Sequence, residues 1–220
     1  VDAWNAEVMV EAPPSTGDGT LAHAAAEAIR QRAASADAVL VGCGLGRHDE
    51  TLALVRDLVQ TLEAPLVLDA DGLAAFAGEA GALADRRGPL VVTPHLGELR
   101  RLLGEDVTPE DRIATVRALA ARWDAVVVLK GMPSVVGVPD GRVIVGPPGQ
   151  PALATAGTGD VLGGTVVGLL AQGLGPAEAA VCALHLGSRA AALWAETHGS
   201  AGLLASDLAD LLPRAAHTFA

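Results

Sequence analysis

Aromatic residues are nearly missing from this sequence: they fill 2% of its 220 positions, and tyrosine is absent. A core without rings has to be built from Ala, Val and Leu, which suits close-packed helices and buried parallel strands. Cysteine is almost as scarce. Cys43 and Cys182 stand far apart and outside any CxxC pattern, which argues against a disulfide scaffold or a zinc cluster and for a reducing cytoplasm. Positive charge is short too, with 15 Lys and Arg against 26 Asp and Glu and a formal net charge of −11. Such a surface repels phosphate backbones, so nucleic acid is not the expected partner. An anionic ligand would have to be held by local devices such as helix N-termini. Long apolar runs are lacking as well. The richest, Val161 to Leu170, is broken by glycines and too short to span a membrane.

What the sequence does hold is a regular alternation of short apolar runs with helical patterns, in a length that fits one domain over 1–220. Glu7 to Glu11 reads as a short strand and Leu21 to Ala34 as an Ala-rich helix. Ala38–Gly42, Pro65–Asp69, Pro89–Val92 and Val126–Lys130 are continuous apolar strands, and Thr51–Leu62 is helical by its leucine and valine spacing. Continuous strands separated by helices predict an α/β fold, with a mostly parallel sheet covered on both faces. Ser134 to Val145 departs from that rhythm: two Val-rich runs around Pro139-Asp140-Gly141-Arg142 predict one antiparallel hairpin. After Pro147-Pro148 the pattern is helical over Asp160–Gln172, Ala177–Ala195 and Ser206–Leu212.

The strongest chemical signal is Ala156-Gly157-Thr158-Gly159-Asp160, set immediately before a helix. Small residues free the backbone to turn, so the amides of Gly157, Thr158 and Gly159 offer an anion hole at a helix N-terminus. An acid placed there would repel a phosphate that is merely bound. Asp160 makes sense as a general base beside a phosphoryl group in transfer, taking the proton of an attacking hydroxyl. The competing reading is an ordinary N-cap, since Asp favours helix starts and the helix dipole favours its charge.

Four strand ends add to this. Gly42-Cys43-Gly44-Leu45-Gly46 lacks the third glycine of a dinucleotide fingerprint, and no GxxxxGK[ST] loop exists. Asp69 and Asp71 close the second long strand, and one of them can cap the next helix. Thr93-Pro94-His95-Leu96-Gly97-Glu98 closes the third, where His95 or Thr93 caps a helix or faces a ligand. Lys130 closes the fourth, placed for a phosphate or ribose contact. His185 and His198 lie in Ala-rich helices and read as packing or surface residues.

With these residues in hand, the sequence resembles the ADP-dependent NAD(P)H-hydrate dehydratase family of the ribokinase-like superfamily. The motifs run in order: Ala6-Glu7-Val8-Met9-Val10, the GxGLG loop, Leu68-Asp69-Ala70-Asp71, TPHxGE from Thr93, Val128-Leu129-Lys130-Gly131, GTGDVLxG from Gly157, and Leu170-Ala171-Gln172-Gly173. Ser206-Asp207-Leu208 and Leu212-Pro213 follow. Ala6 stands where the family usually has proline, and Gly72 where alanine is commoner. The resemblance implies a three-layer α/β/α fold and a hydro-lyase that restores NADH or NADPH from NADHX or NADPHX. It implies that Gly44, Gly46, His95 and Asp160 bind this substrate, with Asp160 catalytic. Lys130, Gly131, Met132, Pro133, Ser134 and Gly159 would hold ADP, the phosphoryl donor. Mg²⁺ would accompany the phosphates without an assigned protein ligand. Family members usually open with one further βαβ unit, so the resemblance implies an N-terminally truncated dehydratase domain. It also raises an upstream epimerase domain in the full-length protein and a homo-oligomer built on Ala177–Ala195. Two other readings stand beside it: a small-molecule kinase of the same superfamily, and a nucleotide-binding module without turnover.

Overall fold

A computed structural model describes residues 8–105 and 107–219. Six strands form one sheet in chain order: β1 (Val39–Val41), β2 (Leu66–Leu68), β3 (Leu90–Val92), β4 (Val126–Leu129), β5 (Val135–Gly137) and β6 (Val143–Val145). The first four are parallel, and β5 and β6 run antiparallel as the expected hairpin. Its turn is closed by the Gly141 amide, which donates to the Val138 carbonyl at 3.0 Å.

The continuous apolar strands serve two cores at once. Leu66, Leu68, Leu90, Val92, Val127 and Leu129 point to one face, against α1 (Ala26–Ala33), α2 (Asp49–Thr61), α3 (Ala70–Ala74), α4 (Leu96–Leu103) and α5 (Arg112–Trp123). Val67, Val91, Val126, Val128 and Val136 point to the other, against α6 (Thr158–Ala171) and α7 (Pro176–His198). Side chains alternate sides along a strand, so a strand buried on both faces must be apolar at every position. A third cluster joins α7 to α8 (Ala205–His217) through Ala190, Ala191, Leu203 and Leu208.

The alanines of α7 are used inside the chain: Ala179, Ala180, Ala183, Ala190 and Ala191 are all buried. Among the described residues no helix is long and apolar enough to cross a membrane.

Three expectations need correction. Val8–Glu11 forms no strand, and Met9 is 91% exposed. Pro13 and Pro14 follow after Ala12 and have no N–H to donate to a ladder; Ala6 and Glu7 lie outside the described residues. The first helix starts later than its composition suggests, because a 3₁₀ turn over His23–Ala25 precedes α1. The last helix runs on through Pro213 to His217, held by the buried Leu208 and Ala215.

Candidate active site

All the singled-out strand ends meet on one edge of the sheet, the C-terminal edge of the parallel strands, where open α/β sheets bind ligands. After β1 the chain turns through Gly42, Gly44 and Gly46 at φ of 146°, 71° and 75°. Gly42 has no alternative: a Cβ there would lie 1.7 Å from the Asp69 carbonyl oxygen. A Cβ on Gly44 would meet nothing within 4 Å, so this part of the loop faces open space. The loop is tied down by Asp71, whose two carboxylate oxygens accept from the Gly46 amide and the Arg47 Nε, each at 3.1 Å.

Asp69 does the capping after β2, accepting from the Ala70 amide at 2.8 Å. The same oxygen, Oδ1, accepts from Lys130 Nζ at 2.7 Å, and Glu98 Oε2 lies 3.7 Å from that ammonium. Asp69 is 1% exposed, and its other oxygen, Oδ2, is buried without a hydrogen-bond partner. Burial pushes its carboxyl above the usual range, against the opposing pull of the Lys130 charge and hydrogen bond.

His95 caps α4. Its Nδ1 accepts from the Gly97 and Glu98 amides at 2.9 and 3.2 Å, while Glu98 Oε2 accepts from the His95 amide at 2.8 Å. This reciprocal pairing is the capping box that the TPHxGE spacing predicts. A ladder bridge joins His95 to Lys130, so the ends of β3 and β4 hold the two residues side by side. Replacing His95 by Ala should cost about 1 kcal/mol of stability, the usual worth of an N-cap, and Asn should recover most of it. Thermal melts of the two variants check this. A rise in KM shared by both would show that the imidazole also meets substrate.

The fifth device is the N-terminus of α6. Gly157 takes φ of 87° as its N-cap, and Thr158 Oγ1 donates to the Leu153 and Thr155 carbonyls at 2.9 and 2.8 Å. Thr158 therefore braces the loop with its hydroxyl. A Cβ on Gly159 would sit 3.4 Å from Lys130 Nζ, which places the ammonium over the first turn of the helix. Asp160 is exposed at this turn. Across from it stands Cys43: the Cys43 thiol and the Asp69 and Asp160 carboxylates have ligand atoms within 4.8 Å of one another. The thiol is pushed up to about 12 by burial first, then by hydrogen bonding to Asp160 and the charges of Asp160 and Asp69. It is a neutral group at any physiological pH.

Beside this edge lies a cavity of about 330 Å³ between the 130–134 loop and helices α6, α7 and α8. Its lining includes Lys130, Gly131, Met132, Ser134 and Gly159 together with the apolar Leu162, Leu184 and Leu212. Pro133 is absent from the lining, but its carbonyl anchors the loop by accepting from Arg112 Nη2 at 2.8 Å. The same nitrogen donates to the Leu129 carbonyl at 3.1 Å. Gly131, at φ of 154°, leaves the room that this guanidinium occupies. Composition gave no sign of Arg112, since α5 itself was not singled out in the sequence. His185 bonds within its own helix to the Val181 carbonyl, and His198 stacks on Trp194 with ring centroids 3.9 Å apart.

The geometry can be set beside known proteins. Residues 4–214 match the sequence profile of the family described as NAD(P)H-hydrate dehydratase. The chain belongs to the NAD(P)H-hydrate dehydratase family. A bifunctional NAD(P)H-hydrate repair enzyme of Salinibacter ruber is 53% identical over 93% of this chain and 38% of its own length. An ADP-dependent (S)-NAD(P)H-hydrate dehydratase of Bacillus subtilis is 37% identical over 80% of this chain and 63% of its own. The chain thus spans less than two thirds of either relative. An ADP/ATP-dependent dehydratase from Bacillus subtilis, crystallised with ATP and Mg²⁺, superposes with a TM-score of 0.76 at 34% identity, covering 86% of this chain and 69% of that one. The chain shares its fold with a ribokinase-like superfamily protein from Enterococcus faecalis, which superposes with a TM-score of 0.71 at 22% identity, covering 91% of this chain and 69% of that one.

Proposed function

We propose that this chain is an ADP-dependent hydro-lyase acting on the S epimer of NADHX and NADPHX, restoring NADH and NADPH. The observation that carries the reading is the placement of Asp160: an exposed carboxylate at the first turn of α6, with the Lys130 ammonium over the same turn. Base, anion hole and cation are the parts that phosphoryl transfer to a hydroxyl needs. Family membership supplies the substrate.

Asp160 takes the proton of the C6 hydroxyl while that oxygen attacks the terminal phosphorus of ADP. The bond between this phosphorus and its bridging oxygen breaks, and AMP leaves. Amides of Gly157 to Gly159 and the Lys130 ammonium stabilise the charge on the phosphoryl oxygens. The ring nitrogen's lone pair then expels phosphate from C6. Loss of a proton from C5 restores the double bond of the reduced ring. In this reading Gly44, Gly46 and His95 line the substrate side, with the open space at Gly44 as support. Lys130 to Ser134 hold the nucleotide, whose adenine suits the apolar lining of the cavity. Mg²⁺ would neutralise phosphate charge. The only group of three candidate ligands among the described residues includes a thiol, a poor fit for a hard ion, so the ion would ride on the nucleotide phosphates.

The test incubates chemically hydrated NADH with the chain, Mg²⁺ and ADP, and follows the near-ultraviolet absorbance of the reduced ring. The expected result is an ADP-dependent rise with matched release of AMP and phosphate. Phosphorylation of another small alcohol without any rise would favour the kinase reading. Nucleotide binding with no product at all would leave a binding module.

A further inference from the structure

The corner formed by Cys43, Asp69 and Asp160 has a property that phosphoryl transfer does not use. Segments from three distant parts of the sequence bring one sulfur and two carboxylates within 4.8 Å of one another. Asp69 Oδ1 is committed to Lys130 and to the Ala70 amide. Asp69 Oδ2 is the orphan: buried, without a hydrogen-bond partner, and turned towards α6, 3.7 Å from where a Cβ on Gly163 would stand. An unpaired buried carboxylate oxygen is costly, and here it faces the helix that carries Asp160.

We infer that Cys43, Asp69 and Asp160 form a binding site for a thiophilic divalent cation, Zn²⁺ or Cd²⁺, which occupies the corner in place of a productive substrate. The donor set decides the class of ion. A thiolate selects softer metals, and a mixed sulfur and oxygen set with one position open to water is one that Zn²⁺ accepts. Zinc at about 2.3 Å from sulfur and 2.1 Å from oxygen sets its ligand atoms roughly 3.5 Å apart. The observed cluster, within 4.8 Å, is looser than this, and side-chain rotation closes it on the ion. Binding releases the Cys43 proton to solvent and forms the metal–sulfur bond. The thiolate and two carboxylates then face a divalent ion and the Lys130 ammonium, which Glu98 shares at 3.7 Å. Entry is open, because Asp160 is exposed and Cys43 only half-buried.

The test reads metal, not turnover, so it stands or falls apart from the proposed activity. The full chain carrying Cys182→Ser, which removes the exposed second thiol, is titrated with Cd²⁺, and the ultraviolet cadmium–thiolate charge-transfer band is followed. One equivalent should saturate the band, and Cys43→Ala should abolish it. Even supporting groups around a metal are worth about 10–100-fold in affinity, so Asp160→Asn and Asp69→Asn should each weaken binding by roughly ten-fold or more. Asp160 is exposed, so its variant remains informative should Asp69→Asn fail to fold. A band absent from the parent, or one whose midpoint is unmoved in Asp160→Asn, would overturn the site and leave a bare cysteine.

Discussion

Asp160→Asn is expected to lower kcat by roughly 10²–10⁴-fold, the range over which a positioned general base contributes, while nucleotide binding persists. The exchange preserves shape and keeps a hydrogen-bonding oxygen. It removes only the negative charge and the capacity to take a proton. Asp160 is exposed at the N-terminus of α6, and the Asn oxygen can still accept the Cys43 hydrogen bond, so the main effect on the fold is the helix dipole, worth about 0.3–1 kcal/mol. That separation makes the experiment decisive between the two readings of this residue. A base loses turnover with little change in the melt. A dipole-stabilising acid loses a degree or two of melting temperature, about what that free energy predicts, and keeps its kcat. Equilibrium binding of ADP, measured on the same sample, shows that the loss lies in the chemical step. Removing a negative charge beside the phosphates should hold affinity or raise it.

The strands were legible because the burial that shapes them is uniform. Leu66 and Leu68 feed one core and Val67 the other, so the run is apolar throughout and stands out from its surroundings. The hairpin was legible from Pro139-Asp140-Gly141, because turn chemistry is local. The glycine-rich start of α6 was legible for a similar reason: Gly157 needs a positive φ that few residues adopt. What escaped depended on partners far along the chain. Asp69 and Lys130 are 61 residues apart, and only the parallel order of β2, β3 and β4 brings them together. Arg112 braces the 130–134 loop from a helix whose apolar pattern is weak. Nothing local to Cys43, set between Gly42 and Gly44, reveals that Asp160 faces it. Val8–Glu11 shows the reverse failure. Its residues favour a strand, but no ladder partner meets them among the described residues.

The pair beneath the site supplies the second large effect. Lys130→Met removes the cation from a carboxylate that is 1% exposed, and breaking a buried pair from one side costs about 3–5 kcal/mol. The Lys130 side chain is 18% exposed, so the lower end, about 3 kcal/mol, is the expected loss. Loss of a charged hydrogen bond to phosphate, about 1.5–3 kcal/mol, should also weaken ADP binding by roughly 10–100-fold. The pH dependence identifies the cause. Burial already holds the Asp69 carboxyl above its usual range, and Lys130 is the largest influence drawing it back. Without the lysine the folded-state value rises further above that of the unfolded chain. The folded protein then binds this proton more tightly than the unfolded chain does, so the penalty is full above the folded value. It fades as pH falls through that value towards the ordinary carboxylate range. Melts of parent and variant should therefore converge in acid and separate towards neutral pH. Adding Asp69→Asn to Lys130→Met should restore much of the stability, because the orphaned charge is gone, but none of the nucleotide affinity. A stability gap that stays constant with pH would mean that Lys130 is held by packing, and that the Asp69 charge has little part in holding it over α6.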